Sequence, residues 1–284
     1  MDPRPLLRGS IVLGLVAALA APASAQYLRI YYPDIEQGSS TLVVSPTGKA
    51  LLMDAGTGLN PTDEAVEDFI NDLADAGIVT SLDYVIASHY DEDHIGRLEN
   101  VFQLGPVVPT TIAYDRGTFG STPSTFAYND YAFSAGMYNR TTIDPFTVLD
   151  LGGGVTVRCY VVNGDLPNGT SEDISVSGQF ENSASVAVVV HYGDFDAWIG
   201  GDLTGNIDFG VADVESAVAP FAGDVDIYTF NHHGSRSSST AAFLNTLKAE
   251  VGINQNSASN NFGHPTTEVV NRFLSTLTTS GGSP

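Results

Sequence analysis

Residues 88–96 read Ser-His-Tyr-Asp-Glu-Asp-His-Ile-Gly and directly follow an apolar run at 82–87. The apolar run predicts a buried strand, so residues 88–96 form the loop at its carboxyl end. Imidazole nitrogen and carboxylate oxygen are the atoms that hold zinc, manganese or iron in proteins. The loop carries four such side chains: His89, Asp91, Asp93 and His94. Because a loop turns around one point, we predict a metal site here, with a helix beginning at Gly96.

The first 25 residues have the composition of a signal peptide. Arg4 and Arg8 precede an apolar run at 11–21, and Ala23-Ser24-Ala25 fits the small-residue cleavage rule. An apolar run of this length is short for a membrane span. We therefore predict an exported protein, periplasmic or secreted, with no stable membrane span after cleavage.

Residues 26–277 form one predicted domain, since a chain of this length can bury a substantial core. An aromatic-rich, turn-rich insertion lies near 101–150 and is a candidate lid or substrate wall, with ordinary surface packing as the alternative. Residues 278–284 are predicted to be a flexible tail. Cys159 is the single cysteine, which excludes an intrachain disulfide.

The formal net charge of the chain is −22 at pH 7. A field of this sign repels polyanions at long range, and nucleic-acid binding needs Lys and Arg to neutralise phosphates. The charge therefore disfavours nucleic acid as a partner and favours a small or non-nucleic substrate, although nucleic acid stays possible.

Further along the chain, several predicted strands end in acid or histidine. Asp54 follows the strand at 50–53, and Asp202 follows a strand pair at 184–191 and 195–199. Strands that end at one edge of a sheet place their loops side by side. A site for two metal ions needs such convergence, with one carboxylate bridging the two ions.

The second half of the chain continues the alternation of helices and strands. A helix is predicted at 207–221, and a buried strand at 225–230 ends at His232 and His233. A last helix is predicted at 266–277, just after His264. In the first half, Asn60 and Pro61 read as the start of a helix.

Together these motifs resemble the metallo-β-lactamase superfamily, whose metal loop reads H-x-H-x-D-H. Asp91 stands here at the second histidine position, a variant that resembles the hydrolase domain of ComEC competence proteins more than true β-lactamases. Further matches lie at residues 34–39, 52–56, Gly201-Asp202-Leu203, His232-His233-Gly234-Ser235 and Asn261-Phe262-Gly263-His264-Pro265, so the resemblance extends over nearly all of residues 27–275 apart from the insertion at 101–150. The resemblance implies an α/β fold, the αββα sandwich.

The resemblance also implies residue roles. His89 and Asp91 would hold one metal ion, with Asp202 as the bridge to the other. The second ion would be held by Asp93, His94 and one histidine of the pair, for which His233 is favoured over His232. The remaining site residues would act on the substrate or on the ligands: Asp93, His232 and His264 in catalysis, Ser235 in substrate binding, and Asp54 in orienting a ligand.

The chain departs from the superfamily at one ligand. A third-motif histidine is expected near Asn182 and is absent, so the ion at His89 and Asp91 lacks a third protein ligand besides the bridge. More oxygen and fewer imidazoles favour a harder or weaker-bound ion. We expect one or two divalent metal ions, zinc or manganese.

The resemblance to ComEC proteins implies hydrolysis of phosphoester or phosphodiester substrates, including a small-molecule substrate, by a metal-bound hydroxide, as a nuclease-like enzyme or a head-group esterase. Two alternatives stay open at this point. One is hydrolysis of a carbonyl substrate such as a lactone or β-lactam. The other is a metal-binding interaction module without catalysis, in which the aromatic insertion would recognise a partner.

Overall fold

Two sheets of six strands each make up the centre of the computed structural model, which describes residues 27–279 apart from 59–65, 106, 107 and 109. The predicted signal peptide, the predicted helix start at Asn60 and Pro61, and residues 280–284 of the predicted tail lie outside the described residues.

The first sheet uses the strands of the first half of the chain in sequence order. Its strands are β1 Arg29–Tyr31, β2 Thr41–Val44, β3 Lys49–Met53, β4 Ser81–Ile86, β5 Thr110–Asp115 and β6 Thr141–Thr142. β1 to β3 pair antiparallel, whereas β3 to β6 pair parallel.

The second sheet repeats this plan with the other half of the chain. Its strands are β7 Val148–Gly152, β8 Val155–Val161, β9 Ala187–Tyr192, β10 Phe195–Ile199, β11 Ile227–Thr229 and β12 Val251–Ile253. β7 to β10 pair antiparallel, whereas β10 to β12 pair parallel.

Helices cover the outer face of each sheet. The longer helices are α1 Val66–Asp75, α4 Phe126–Ala135, α6 Val214–Ala222, α7 Ala241–Leu247 and α8 Thr267–Thr279, and the shorter ones are α2 Glu92–Ile95, α3 Leu98–Phe102 and α5 Phe180–Ser183. Three buried apolar clusters separate the layers. α1, α3 and α4 pack on the first sheet and α6 to α8 on the second, while a third cluster fills the space between the sheets. The αββα sandwich is thereby confirmed.

Parallel pairing decides where the site lies. The carboxyl ends of β3 and β4 lie together at one edge of the first sheet, and those of β10 and β11 at one edge of the second. The loops after these four strands carry every metal ligand that the motifs predict.

Two predicted helix starts are wrong. The helix of the metal loop begins at Glu92 after Asp91 and ends at Gly96, which is its C-cap and not its start. The helix predicted at 207–221 begins at Val214, because Asp213 caps it and Gly210 takes a left-handed conformation that ends a preceding 3-10 turn.

The segment at 101–150 belongs to both sheets. It supplies β5 and β6 to the first sheet and most of β7 to the second, and α4 packs on the first sheet. Among the described residues, no helix is long and apolar enough to cross a membrane.

Candidate metal centre

The structure brings together Asp93, His94 and His233, with Oδ1 of Asp202 beside them, at a candidate second metal position. The Nε2 atoms of His94 and His233 lie 3.2 Å apart. Asp202 Oδ1 lies 3.1 Å from His94 Nε2 and 3.6 Å from His233 Nε2, and Asp93 Oδ2 lies 3.4 Å from His233 Nε2. Four tetrahedral ligands at zinc distances would be separated by roughly 3.3–3.6 Å, so the donor atoms already have the spacing of a metal site.

The hydrogen-bond partners of the two imidazoles favour a cation between them. His94 Nδ1 lies 2.8 Å from Asp54 Oδ2. His233 Nδ1 lies 2.6 Å from the carbonyl oxygen of Gln255. Each Nδ1 therefore donates its proton to an oxygen, and in the neutral ring each Nε2 presents a lone pair. Two such lone pairs and a carboxylate oxygen of Asp202 repel one another unless a positive charge lies among them.

The pKa shifts of His94 and Asp202 also come from the opposite charges that face one another in this cluster. Burial acts to lower the pKa of His94, but the Asp202 and Asp54 carboxylates outweigh it and raise that pKa well above its usual value. Burial acts to raise the pKa of Asp202, but the imidazoles of His94 and His233 outweigh it and hold that pKa well below its usual value. The cluster thus stabilises a positive charge, and a proton competes with a metal ion for it.

At the candidate first metal position, His89 lies beside Asp91 and Oδ2 of Asp202, and the donor atoms that lie within reach of one common ion there belong to His89, His94 and Asp202. His89 Nε2 lies 3.5 Å from Asp91 Oδ2 and 3.9 Å from Asp202 Oδ2. This nitrogen is buried and has no hydrogen-bond partner in the described part of the chain. A buried polar atom without a partner is costly, and a metal ion would satisfy it. The Asp91 side chain is 47% exposed, so this position opens to solvent.

Asp54, at the end of β3, lies behind both positions. Its carboxylate accepts hydrogen bonds from the backbone N–H and the hydroxyl of Ser88, at 2.7 and 2.6 Å. The same Ser88 hydroxyl lies 3.0 Å from His89 Nδ1. One buried carboxylate therefore links the orientation of His89 to that of His94, which supports the predicted orienting role of Asp54.

His232 and His233 point to different places although they are neighbours. They lie in a 3-10 turn, Asn231–Gly234, and both have left-handed backbones, with φ of 49° and 52°. A non-glycine residue in this region costs roughly 1–2 kcal/mol, so surrounding contacts must hold the turn. His233 Nε2 faces Asp93, whereas His232 Nε2 lies 3.6 Å from Asp202 Oδ2 at the edge of the cleft. The geometry favours His233 as the ligand, as predicted from the motif.

Glu215 is the buried group that holds this turn. Its carboxylate accepts hydrogen bonds from the Asn231 side chain at 2.7 Å and from the backbone N–H groups of Ser239 and Thr240 at 2.6 and 2.9 Å. Burial raises the pKa of Glu215 to about 7, despite these donors. Glu215 was not predicted as part of the site.

A cleft of about 140 Å³ lies over both positions. Its lining comprises Gln37, Asp91, Asp93, Asn182, Asp202, His232, His233, Phe262 and His264. The His264 ring meets the His232 ring edge-on, with centroids 5.6 Å apart, and stacks on Phe262 at 5.9 Å. Burial, and next the neighbouring His232, lower the pKa of His264 to about 4, so its imidazole is neutral at pH 7.

Three cleft residues were absent from the predicted site. Gln37 donates a hydrogen bond to Asp93 Oδ2 at 3.3 Å, and Asn182 Nδ2 lies 3.1 Å from His232 Nε2. Gln37 and Phe262 stand inside motifs that the sequence already marked, which was the available signal. Ser235, predicted to bind substrate, is buried with its hydroxyl 3.0 Å from that of Ser237, and it is not among the residues that line the cleft.

Comparison with known proteins agrees with this architecture. A family model described as the metallo-β-lactamase superfamily matches residues 33–163. Recombination protein 2 of Haemophilus influenzae is 25% identical over 267 residues, which cover 93% of this chain and 29% of that protein. The chain thus spans less than a third of that relative's length. This match supports the ComEC-like resemblance of the motifs.

Solved structures with a similar fold include a metallo-β-lactamase from Cronobacter sakazakii, with 15% identity and a TM-score of 0.42, covering 70% of this chain and 76% of that one. Another is the metallo-β-lactamase fold protein YhfI from Bacillus subtilis, with 17% identity and a TM-score of 0.38, covering 72% of this chain and 69% of that one. The family match, the αββα sandwich and the His/Asp donor groups support divalent metal binding and a metal-dependent hydrolase in general. The chain is similar to the metallo-β-lactamase superfamily, whose family model matches residues 33–163 of its 284 residues.

Proposed function

We propose that the protein is an exported, metal-dependent hydrolase of phosphoester or phosphodiester bonds in small substrates. The observation that carries this proposal is the carboxylate of Asp202, whose Oδ1 faces the second metal position while its Oδ2 faces the first. A carboxylate shared by two sites is the arrangement expected for two-metal hydrolysis of phosphate esters.

When bound, divalent metal ions supply Lewis-acid activation and neutralise the negative charge that develops in the transition state. Side chains of the protein would orient the reacting groups. Burial acts to raise the pKa of Asp93, but a hydrogen bond with His233 and the charge of His94 lower it well below its usual value. Asp93 is therefore ionised at neutral pH. Its Oδ2, fixed by Gln37, can orient a proton-bearing group in the cleft.

His232 and His264 are the imidazoles that face the substrate space. Ser237 Oγ lies 2.9 Å from His232 Nδ1, which fixes the ring, and burial lowers the pKa of His232. His264 is also neutral at pH 7. A neutral imidazole donates a hydrogen bond to a phosphoryl oxygen from its N–H side, or accepts a proton at its free nitrogen.

The cleft favours a small substrate over a polynucleotide. No Lys or Arg lines it among the described residues. Six of the nine described Lys and Arg side chains are in ion pairs with Asp or Glu: Lys49, Arg97, Arg116, Arg140, Arg236 and Arg272. Nucleic-acid binding requires several free cations along the backbone. The volume of the cleft, about 140 Å³, is also below the roughly 300–1,000 Å³ of sites for drug-sized ligands.

The test is hydrolysis of bis(p-nitrophenyl) phosphate by the mature protein after chelation and then with Zn²⁺ or Mn²⁺ restored. We expect turnover that depends on metal and is abolished in Asp202→Ala. The matched control is Asp196→Asn. Asp196 also contacts a histidine, with Oδ1 2.6 Å from His191 Nδ1, but it does not line the cleft. This control should keep full turnover.

Competing substrates decide the substrate class. A small phosphodiester should be hydrolysed faster than single-stranded DNA at equal phosphate concentration. Hydrolysis of a lactone or of a β-lactam, with no phosphoester turnover under any metal, would contradict the proposal and favour carbonyl chemistry. A folded protein that binds metal but hydrolyses none of these substrates would favour the interaction module.

A further inference from the structure

Arg116 is a fully buried cation in the segment that follows β5. Its Nε and Nη2 atoms donate to the two oxygens of Glu181, at 2.7 and 2.6 Å. Two further donors bind the carbonyl oxygens of Phe119 and Ser121, at 3.1 and 2.9 Å. Four of the five N–H donors of the guanidinium are thus bound inside the protein, and its bidentate ion pair with Glu181 fixes the position of that carboxylate.

Glu181, held in place by Arg116, also contacts the metal loop at residues 88–96. Its Oε1 also accepts a hydrogen bond from the backbone N–H of Tyr90, at 2.8 Å. Tyr90 stands between His89 and Asp91, the two residues that belong to the first metal position alone. The backbone at this point is therefore held by a side chain from the other half of the sandwich, 91 residues along the chain.

The side chain of Tyr90 is held by the same segment. Its hydroxyl donates to the carbonyl oxygen of Gly117 at 2.8 Å, and the Arg116 guanidinium lies 4.3 Å above its ring. Both the main chain and the ring of Tyr90 are thereby fixed. The cation over the aromatic face adds a favourable electrostatic contact in this buried setting.

Asp91 needs this support because its own surroundings supply little. It is the N-cap residue of α2, yet its side chain caps no backbone N–H of that helix. The Asp91 carboxylate is 47% exposed, and its ion-pair contact is His89 Nε2 at 3.5 Å. The direction in which Asp91 points is therefore set by the backbone on either side of it.

We propose that Arg116 and Glu181 are positioning residues for the first metal position. They fix Tyr90, and through it they aim His89 and Asp91 at Asp202. The segment that reads as a turn-rich insertion thus takes part in building the site, at the position that lacks the expected third histidine. The inference rests on the metal-binding part of the proposed function and is independent of the phosphoester chemistry.

The test is calorimetric titration of the metal-free, full mature chain with Zn²⁺, resolved into two binding steps. Asp91→Ala and His233→Ala identify which step belongs to which position. In Glu181→Gln, an amide N–H faces Arg116 Nη2, so the bidentate ion pair is broken. The remaining amide oxygen can still accept the hydrogen bond from the backbone N–H of Tyr90. We expect the step lost in Asp91→Ala to weaken by about 10- to 100-fold, the range for residues that orient metal ligands. The other step should change by less than about threefold.

Arg97→Lys is the matched control. Arg97 makes a two-pronged ion pair with Glu67, at 2.5 and 3.2 Å, and this pair contacts neither His89 nor Asp91. The Arg97→Lys variant should have a lower melting temperature and unchanged affinity in both Zn²⁺ binding steps. Tyr90→Phe, which removes the hydroxyl that donates to Gly117 and accepts from Arg140, is a milder variant that decides the matter if Glu181→Gln does not fold. We expect it to weaken the same step by a few-fold.

Equal weakening of both steps in Glu181→Gln, or no weakening in a folded variant, would overturn the positioning role. A wild-type chain that binds Zn²⁺ in two steps but has no phosphoesterase activity would leave this inference standing. That result would count against the proposed function alone. A wild-type chain that binds no Zn²⁺ at all would overturn both.

Discussion

The two metal positions share Asp202 but differ in how their donors are held. In the second position, Nδ1 of His94 faces Asp54 and Nδ1 of His233 faces a backbone carbonyl, so both rings are fixed from behind. In the first, His89 Nδ1 faces the Ser88 hydroxyl at 3.0 Å, whereas Asp91 is about half exposed and its side chain caps no backbone N–H of α2. The comparison teaches that rigidity, as much as donor number, separates the two. We expect the second position to bind tightly and the first to exchange its ion.

The largest effect should come from the residue that both positions share. Asp202→Asn removes the charge that faces His89, His94 and His233, so both positions lose affinity. Metal content per chain, measured by atomic emission spectrometry, should fall for both ions, and turnover should fall by roughly 10²–10³ or more. Retention of one tightly bound ion would show that the second position does not depend on Asp202.

The next prediction distinguishes the two metal positions by their affinities. His233→Ala should release the tight ion and abolish turnover, because it removes an imidazole whose orientation is fixed by Gln255. Asp91→Ala should leave that ion in place and lower only the affinity for the second equivalent of metal. Equilibrium dialysis against Zn²⁺ for the two variants side by side checks this. The reverse order of affinities would break the comparison.

A glycine tests the backbone behind the second position. Gly38 has φ of 121°, and a Cβ there would lie 2.2 Å from the carbonyl oxygen of Asp93. Gly38→Ala should therefore displace Asp93 and weaken the tight ion by about tenfold or more. Gly77→Ala is the control, since Gly77 also has a positive φ but no atom within 4 Å of the added Cβ. It should cost about 1 kcal/mol of unfolding free energy without changing metal affinity.

Glu215 should affect stability and not metal binding, and its effect is visible as a dependence on pH. Because burial raises its pKa from 4.5 to about 7, the folded chain holds a proton that the unfolded chain releases. Its contribution to stability is full below pH 4.5 and is lost as the pH rises through 7, a loss of about 3 kcal/mol. Glu215→Gln should remove this slope from the unfolding free energy of metal-free protein, measured by urea denaturation between pH 5 and 8. Parallel pH profiles for the variant and the wild type would contradict the assignment.

The sequence was informative where function and local pattern coincide. The loop at 88–96 and the pair His232-His233 could be located because donors cluster at the ends of apolar runs. The helix start at Glu92 had a signal of its own, since Asp91 stands before two acidic residues that favour a helix N-terminus. A metal-ligand role for Asp91 does not exclude a helix that starts directly after it.

Other parts of the site had no local signal. Arg116 and Glu181 are 65 residues apart, and only tertiary structure brings them together. Glu215 is fully buried, which a charged residue in an amphipathic pattern does not predict. β5 was missed because its partly exposed residues lack the strict alternation of a half-buried strand.

The donors of the second metal position come from both sheets, with 139 residues between His94 and His233. Neither half of the chain can assemble this position alone, so ion capture must come late in folding, after the two sheets have docked. Contacts between such distant residues form slowly, because a long loop must close first. A bound ion would then link the two halves of the chain and stabilise the docked state against their separation. The rate at which a chelator removes the tight ion should therefore follow the rate at which the sandwich opens.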